Sequence, residues 1–375
     1  MSSVDWEAEG LLEGLDADVR QDRIALLEEL HEQGIELDEL REAVREDRLA
    51  LLPVERILAP DGERYTAEEI AERTGTELPF LTSLRQALGL PKPADDERVY
   101  TPDDLKAIDL QRQLAAAGFS EQGRLEVARV LGQSMAHVAD VVREVTARTL
   151  ARPGDTERDL GLRYAEVARS SAPLLGPLLE QVLSLHLRQQ LCQDVISAAD
   201  LATGRVAGAT EIGVCFADLV GFTRLGEEVP TEELGAVAGR LGELAGDIVR
   251  HPVRVVKLIG DAAMLVSPRE PEAAIEAALD LVDAAQREGD DFPQLRAGAA
   301  AGEAVGRGGD WYGRPVNVAS RVTQIARPTS VLATKAMREK AGDEHYRWSF
   351  AGKRSLRGVR GDVTLFRARR NGAGD

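Results

Sequence analysis

Aromatic residues make up only 4% of this 375-residue chain, which also has just two cysteines and five histidines. Cys192 and Cys215 lack the spacing of a metal site or a redox pair, and read as reduced core residues of a cytoplasmic protein. No apolar run reaches the roughly 18 residues a membrane span needs. The N-terminus, MSSVDWEAEGLLEGLD, is acidic and lacks both the basic and the apolar parts of a signal peptide. A phosphate loop of the form GxxxxGKS/T is missing too, which removes an ordinary P-loop ATPase. Positive charge is scarce: 46 Lys and Arg face 64 Asp and Glu, for a net charge of −18. That balance argues against general nucleic-acid binding and against docking on an anionic membrane. Lysine is rarer still, and Lys257 is the only one between Lys106 and Lys335.

A hydrophobic fraction of 43% and a charged fraction of 29% are ordinary for a soluble globular protein. The length suits two domains. Residues 1–198 read as helix after helix, in VRQDRIALLEELHEQG, TPDDLKAIDLQRQLAAAG, SEQGRLEVARVLGQSMAHVADVVREVTARTLA and GPLLEQVLSLHLRQQLCQDVISAAD, the last ending near Asp200. LATGRVAGAT has no periodicity and reads as a linker over 199–210. From 211 to 375 strands alternate with helices. EIGVCFADL is a strand, TEELGAVAGRLGELAGDIV a helix, and VRVVKLI and AAMLVS two strands around a Gly260-Asp261 turn. A helix over 271–287, a strand in LRAGAAAGEAV and a helix from Pro315 follow. The pattern predicts an all-α domain followed by an α+β domain of ferredoxin-like type.

The chemistry gathers in three stretches. FADLVGFT ends the first strand on Asp218, and VKLIGDAAM sets Lys257 in a strand and Asp261 in the hairpin turn. If those strands are neighbours, both carboxylates emerge at one edge, and two carboxylates suit Mg²⁺ or Mn²⁺ shared with substrate phosphates. Gly221, Phe222 and Thr223 lead towards a helix whose backbone N–H groups suit a phosphate. In DWYGRPVNVASRV, Asn317 and Arg321 stand four apart on one helix face, an amide for a sugar oxygen and a guanidinium for a phosphate. Lys257 and Asp310 offer a donor and an acceptor that complement the edge of adenine and mismatch guanine. Each feature alone is also ordinary structure: a Gly-Asp turn, a solvated helix arginine, an edge-strand lysine.

Taken in this order and spacing, the three stretches resemble the catalytic domain of class III nucleotidyl cyclases over roughly residues 210–370. The helical front half resembles the regulatory domain of mycobacterial pH-sensing adenylyl cyclases. The resemblance implies an adenylyl cyclase that converts ATP to 3′,5′-cyclic AMP and pyrophosphate. It implies two Mg²⁺ or Mn²⁺ ions on Asp218 and Asp261, adenine selection by Lys257 and Asp310, and ribose and transition-state contacts from Asn317 and Arg321. It also implies a homodimer with two shared sites, one chain giving the metal ligands and the other the remaining four residues. A further cation for the terminal phosphates is expected from AGKRSLRG, among Lys353, Arg354 and Arg357. One departure is Leu258, where relatives often carry Thr.

Two other readings compete. Residues 65–110 resemble the helix-turn-helix of MerR-type DNA-binding regulators, although LPFLTSLRQALGL, in the place of the reading helix, carries a single cation, Arg85. A cyclase-like domain that binds nucleotide without turning it over is the second. For the front half the expectation is a dimerising regulatory domain that senses pH, with His186, on the last helix before the linker, the first candidate. Trp311 is expected to pack beside the site.

Overall fold

The computed structural model describes residues 4–58, 62–191, 209–268 and 270–372. Cys192, most of the expected linker and the expected helix end near Asp200 lie outside them. The chain divides into two compact units, Met1–Val195 and Ile196–Asp375.

The first unit is helical among its described residues: α1 (Ala17–Glu32), α2 (Leu37–Arg45), α3 (Leu52–Leu58), α4 (Ala67–Thr74), α5 (Leu78–Ala87), α6 (Pro102–Ala116), α7 (Glu121–Leu150) and α8 (Glu157–Leu191). Local chemistry sets several starts. Thr66 and Glu69 form a reciprocal capping box on α4, and Thr101 with Asp104 does the same on α6, where Pro102 takes the first turn. Gly75, at φ 65°, ends α4 in a left-handed conformation that costs a side chain strain. Leu26, Leu27, Leu30, Leu40 and Leu52 close one core with Trp6. The buried Arg23 donates to Glu157 Oε1 at 2.6 Å and so ties α1 to the start of α8.

Two features depart from the sequence pattern. α8 does not begin at Gly176 but runs unbroken from Glu157 through Pro173 and Pro177. Leu174 and Leu178 stand 67% and 58% exposed on it. In the helix-turn-helix segment, α5 turns Phe80 and Leu84 onto Ala128 of α7. The fit is close: a Cβ at Gly132 would lie 2.4 Å from the Leu88 carbonyl oxygen. Arg85, the helix's one cation, donates to the Pro91 carbonyl at 2.9 Å and lies over the Tyr100 ring. The one cation of this helix is thus engaged within the domain.

The second unit is built on a mixed sheet with strand order β2-β3-β1-β4-β6-β8-β7, and β5 pairs with β4. Its strands are β1 (Thr210–Leu219), β2 (Arg254–Ile259), β3 (Ala262–Pro268), β4 (Leu295–Arg307), β5 (Asp310–Tyr312), β6 (Val331–Thr334), β7 (Tyr346–Ser355) and β8 (Asp362–Arg370). The helices are α9 (Phe222–Glu228), α10 (Thr231–Ile248), α11 (Ala273–Arg287), α12 (Arg314–Ile325) and α13 (Lys335–Ala341). Strand, helices, hairpin, helix, strand, with β2-β3-β1-β4 side by side, is the ferredoxin-like βαββαβ arrangement.

Alternation along β1 explains the layering. Cys215, Ala217 and Leu219 face α10 and α11, while Ile212, Val214 and Phe216 face α12. Ile212 and Val214 are fully buried, which contributes roughly 2 kcal/mol each. Burial pushes the Cys215 thiol up to about 12, so it behaves as an apolar side chain. By the same alternation Asp218 falls on the α12 face, where the pattern calls for an apolar residue. α12 is pressed onto the sheet there: a Cβ at Gly298 would lie 2.3 Å from the Thr323 amide nitrogen. Thr323 Oγ1 adds hydrogen bonds to the carbonyls of Phe216 and Ala319, at 3.1 and 2.9 Å.

Candidate active site

β1 pairs antiparallel with β3 so that Asp218 lies opposite Ala262, one residue from Asp261 in the hairpin turn. Leu219 N–H donates to the Asp261 carbonyl at 3.0 Å and pins the turn to the strand end. Both carboxylates line one cavity of about 340 Å³. Gly221, Phe222 and Thr223 line it as well, with Gly221 at φ 79° opening α9. Burial, reinforced by the charge of Asp218, raises the Asp261 carboxyl above the usual carboxylate range, against a backbone hydrogen bond and Arg296 that lower it.

Arg296 is the residue sequence reasoning missed. It stands opposite Asp218 in the β1–β4 register. Its Nε and Nη2 donate to Asp218 Oδ2 at 2.9 and 2.6 Å, and its Nη1 donates to the Gln324 carbonyl at 3.1 Å. The pair is largely sheltered, with side chains 27% and 18% exposed. A signal was present in LRAGAAAGEAV, where one long cation interrupts a run of small residues.

The other expected residues lie apart from this cavity. Lys257 Nζ forms an ion pair with Asp310 Oδ2 in the same chain, and Trp311 N–H donates to Asp310 Oδ1 at 2.8 Å. The Trp311 ring is buried in the core layer of α12. Asn317 is exposed on α12, and Arg321, half-buried one turn on, donates to Gln324 Oε1 at 3.3 Å. None of Lys257, Asp310, Asn317 and Arg321 lines the carboxylate cavity, although Ser320, Thr323 and Gln324 of the same helix do. Lys353, near the end of β7, and Arg357, just beyond it, are exposed and also outside it. His186 is exposed on α8.

A divalent ion fits the donor set in part. Two hard carboxylates sit at one sheet edge, one of them raised by burial and mutual repulsion, which is a place where added positive charge is favourable. Among the described residues no third His, Cys, Asp or Glu joins them. The remaining ligands of an ion there must be backbone, water or substrate oxygens.

Both units match known protein families. Residues 4–191 match the adenylate cyclase regulatory domain, and residues 206–368 match the adenylate and guanylate cyclase catalytic domain. A pH-sensitive adenylate cyclase of Mycobacterium tuberculosis is 41% identical over 98% of this chain and 92% of its own length. An adenylate cyclase of Streptomyces coelicolor is 32% identical over 78% of this chain and 76% of its own. The crystal structure of an adenylyl cyclase from P. aeruginosa aligns with 44% of this chain and 96% of its own, at a TM-score of 0.39 and 19% identity. Among the described residues no helix is long and apolar enough to cross a membrane. The chain belongs to the class III adenylate cyclase family, with a helical regulatory domain ahead of the mixed α/β catalytic domain.

Proposed function

We propose that this chain converts ATP to 3′,5′-cyclic AMP and pyrophosphate at sites shared between two copies, under control of pH through its helical domain. One observation carries the shared site: within one chain, the carboxylate cavity lacks the Lys257–Asp310 pair, Asn317 and Arg321. A single copy holds both halves of the chemistry but at separate places. A second copy, turned head to tail, completes each cavity with the other's four residues. The exposed Leu174 and Leu178 of α8 give the regulatory domain an uncovered apolar face that suits such pairing.

Asp218 and Asp261 would hold two Mg²⁺ or Mn²⁺ ions, which supply charge for the triphosphate and acidify the ribose 3′-hydroxyl. Arg296 orients the Asp218 carboxylate beforehand through its two hydrogen bonds, and lines the same cavity, where phosphate oxygens would share its N–H groups. The backbone at Gly221, Phe222 and Thr223 cradles the phosphates from the other wall. Lys257 donates to adenine N1 and Asp310 accepts from N6, so their ion pair opens around the base and the groups stay satisfied. Guanine would leave both unpaired, which rejects GTP. Asn317 positions the ribose, and Arg321 meets the charge that builds on the α-phosphorus as the 3′-oxygen attacks and pyrophosphate leaves. Lys353 or Arg357 serves the terminal phosphates from the partner copy. A cytoplasmic setting follows from the use of ATP.

For the control by pH, the relative named for pH sensitivity supports the reading, and His186 is the first residue to test. The experiment is cyclic AMP formation from ATP with Mn²⁺, by the intact chain and by a 199–375 fragment, at pH 6 and pH 8. The expected result is activity that vanishes in Asp261→Ala, and a pH response present in the intact chain and lost in the fragment. No cyclic AMP from either protein contradicts the catalytic reading, and equal pH responses contradict the regulatory one.

A further inference from the structure

A second cleft in the catalytic unit is distinct from the carboxylate cavity, and of the cations expected for the terminal phosphates only Arg354 lines it. It encloses about 320 Å³, close to the 340 Å³ of the carboxylate cavity, and is lined by Arg327, Arg354 and Arg367. The three come from different elements: the segment after α12, the end of β7, and β8. No carboxylate lines the cleft, and none of the three arginines forms an ion pair among the described residues. Yet the chain has 64 acidic residues and a net charge of −18, so partners were not scarce.

Arg367 is the most informative of them. On β8, Val363 and Leu365 turn into the core under α12, and two residues on Arg367 continues the same face. The strand pattern calls for a third apolar side chain there. In register it lies between Leu332 of β6 and Ser349 of β7. α12 ends at Ile325, so the sheet beyond Leu365 is roofed by the cleft rather than by helix. Arg367 Nε is buried there without a hydrogen-bond partner. An unpaired buried donor is costly, so a group that accepts from it is favoured. The carbonyls at the end of α12 account for a cation at Arg327. They do not account for Arg354 or Arg367, which belong to the other wall.

We propose that this cleft is a binding site for a small phosphate-bearing anion, separate from the reaction cavity. Guanidinium groups pair with phosphate oxygens through two N–H bonds each, and three of them converge here on one space. The buried Leu332 and Leu365 give the cleft an apolar floor, which limits solvent screening on that side. The cleft also adjoins the reaction cavity along the chain: Gln324 lines one and Ile325 the other. An anion held in the cleft therefore bears on the last turn of α12, the helix of Asn317 and Arg321.

The test is titration calorimetry of the intact chain in EDTA, with inorganic pyrophosphate, inorganic phosphate and ATP in turn. The expected result is one anion per chain, weakened at least tenfold in Arg354→Gln and Arg367→Met, nearly retained in Arg367→Lys, and unchanged in Arg321→Ala. Pyrophosphate binding that ATP does not displace assigns the site to the free anion, and displacement assigns it to the nucleotide's phosphate end. If Arg367→Met melts early, the exposed Arg354→Gln decides alone. The proposal is overturned if no anion binds the unaltered chain, or if the loss follows Arg321→Ala and spares Arg354→Gln. Absence of binding together with dissociation of an Arg354→Gln dimer would give these arginines to a second copy of the chain, and overturns it equally.

Discussion

Replacing Arg296 with methionine keeps the apolar stem of the side chain and removes the counter-charge of Asp218. Two hydrogen bonds, at 2.9 and 2.6 Å, disappear from a pair whose side chains are only 27% and 18% exposed. Removing one partner of a buried ion pair costs about 3–5 kcal/mol, and the remaining exposure places this case near 3 kcal/mol. The loss is compounded because Asp261, already raised by burial and by Asp218, then faces its neighbour with no cation between them. For a domain of this size about 3 kcal/mol lowers the melting temperature by roughly 6–12 °C. The assay is thermal unfolding of the catalytic unit within the intact chain, first in EDTA and then with Mn²⁺. Arg296→Met should melt well below the unaltered chain in EDTA and gain more from Mn²⁺, since the ion supplies the missing charge. Equal melting in EDTA, or equal gains from Mn²⁺, would refute the placing of a cation-dependent carboxylate pair at this sheet edge.

Other perturbations separate the parts of the account. Because the folded-state pKa of Asp261 is raised, its ionisation opposes folding above that pKa and its proton favours folding below. Asp261→Asn should therefore melt higher than the unaltered chain in EDTA at pH 7, lose that advantage below the usual aspartate range, and make no cyclic AMP, as melting curves against pH and an activity assay would show. Gly298→Ala places a methyl 2.3 Å from the Thr323 amide, so α12 must lift and carry Asn317 and Arg321 with it. A loss of about 1–3 kcal/mol in stability and a fall in kcat larger than the change in KM are expected, measured by urea unfolding and steady-state kinetics. Lys257→Met and Asp310→Asn break an ion pair that is more exposed than Arg296–Asp218, at 41% and 26%, so stability should move little. Discrimination between ATP and GTP should drop by about 1–3 kcal/mol, read as the ratio of kcat/KM for the two nucleotides.

How far the sequence carries depends on the range of the interaction that fixes each feature. Strand and hairpin patterns act over a few residues, so the meeting of Asp218 and Asp261 followed once β1 and β3 were taken as neighbours. The same reasoning isolated Lys257, because a charged side chain in an apolar strand needs a partner. The Arg296–Asp218 contact depends on the register of β1 against β4, strands 78 residues apart at that bond, which no local pattern reports. α8 defeats local reading in another way. Pro173 and Pro177 resemble helix stops, yet the helix continues through them. The α5 segment has the periodicity of a DNA-reading helix, and only tertiary packing on α7 shows where its apolar side chains go. Arg367 could not be singled out either, since its inward position is set by the β8 register and by where α12 stops.

The claim on which the rest turns is that each reaction site takes residues from two copies of the chain. Asp261→Ala and Arg321→Ala proteins, each inactive alone, can be mixed, exchanged into heterodimers and assayed for cyclic AMP. A shared site predicts recovery to about one quarter of the unaltered activity, because half of the dimers are mixed and each of those keeps one intact site. A mixture as inactive as its components, with heterodimers shown to have formed, would contradict the account.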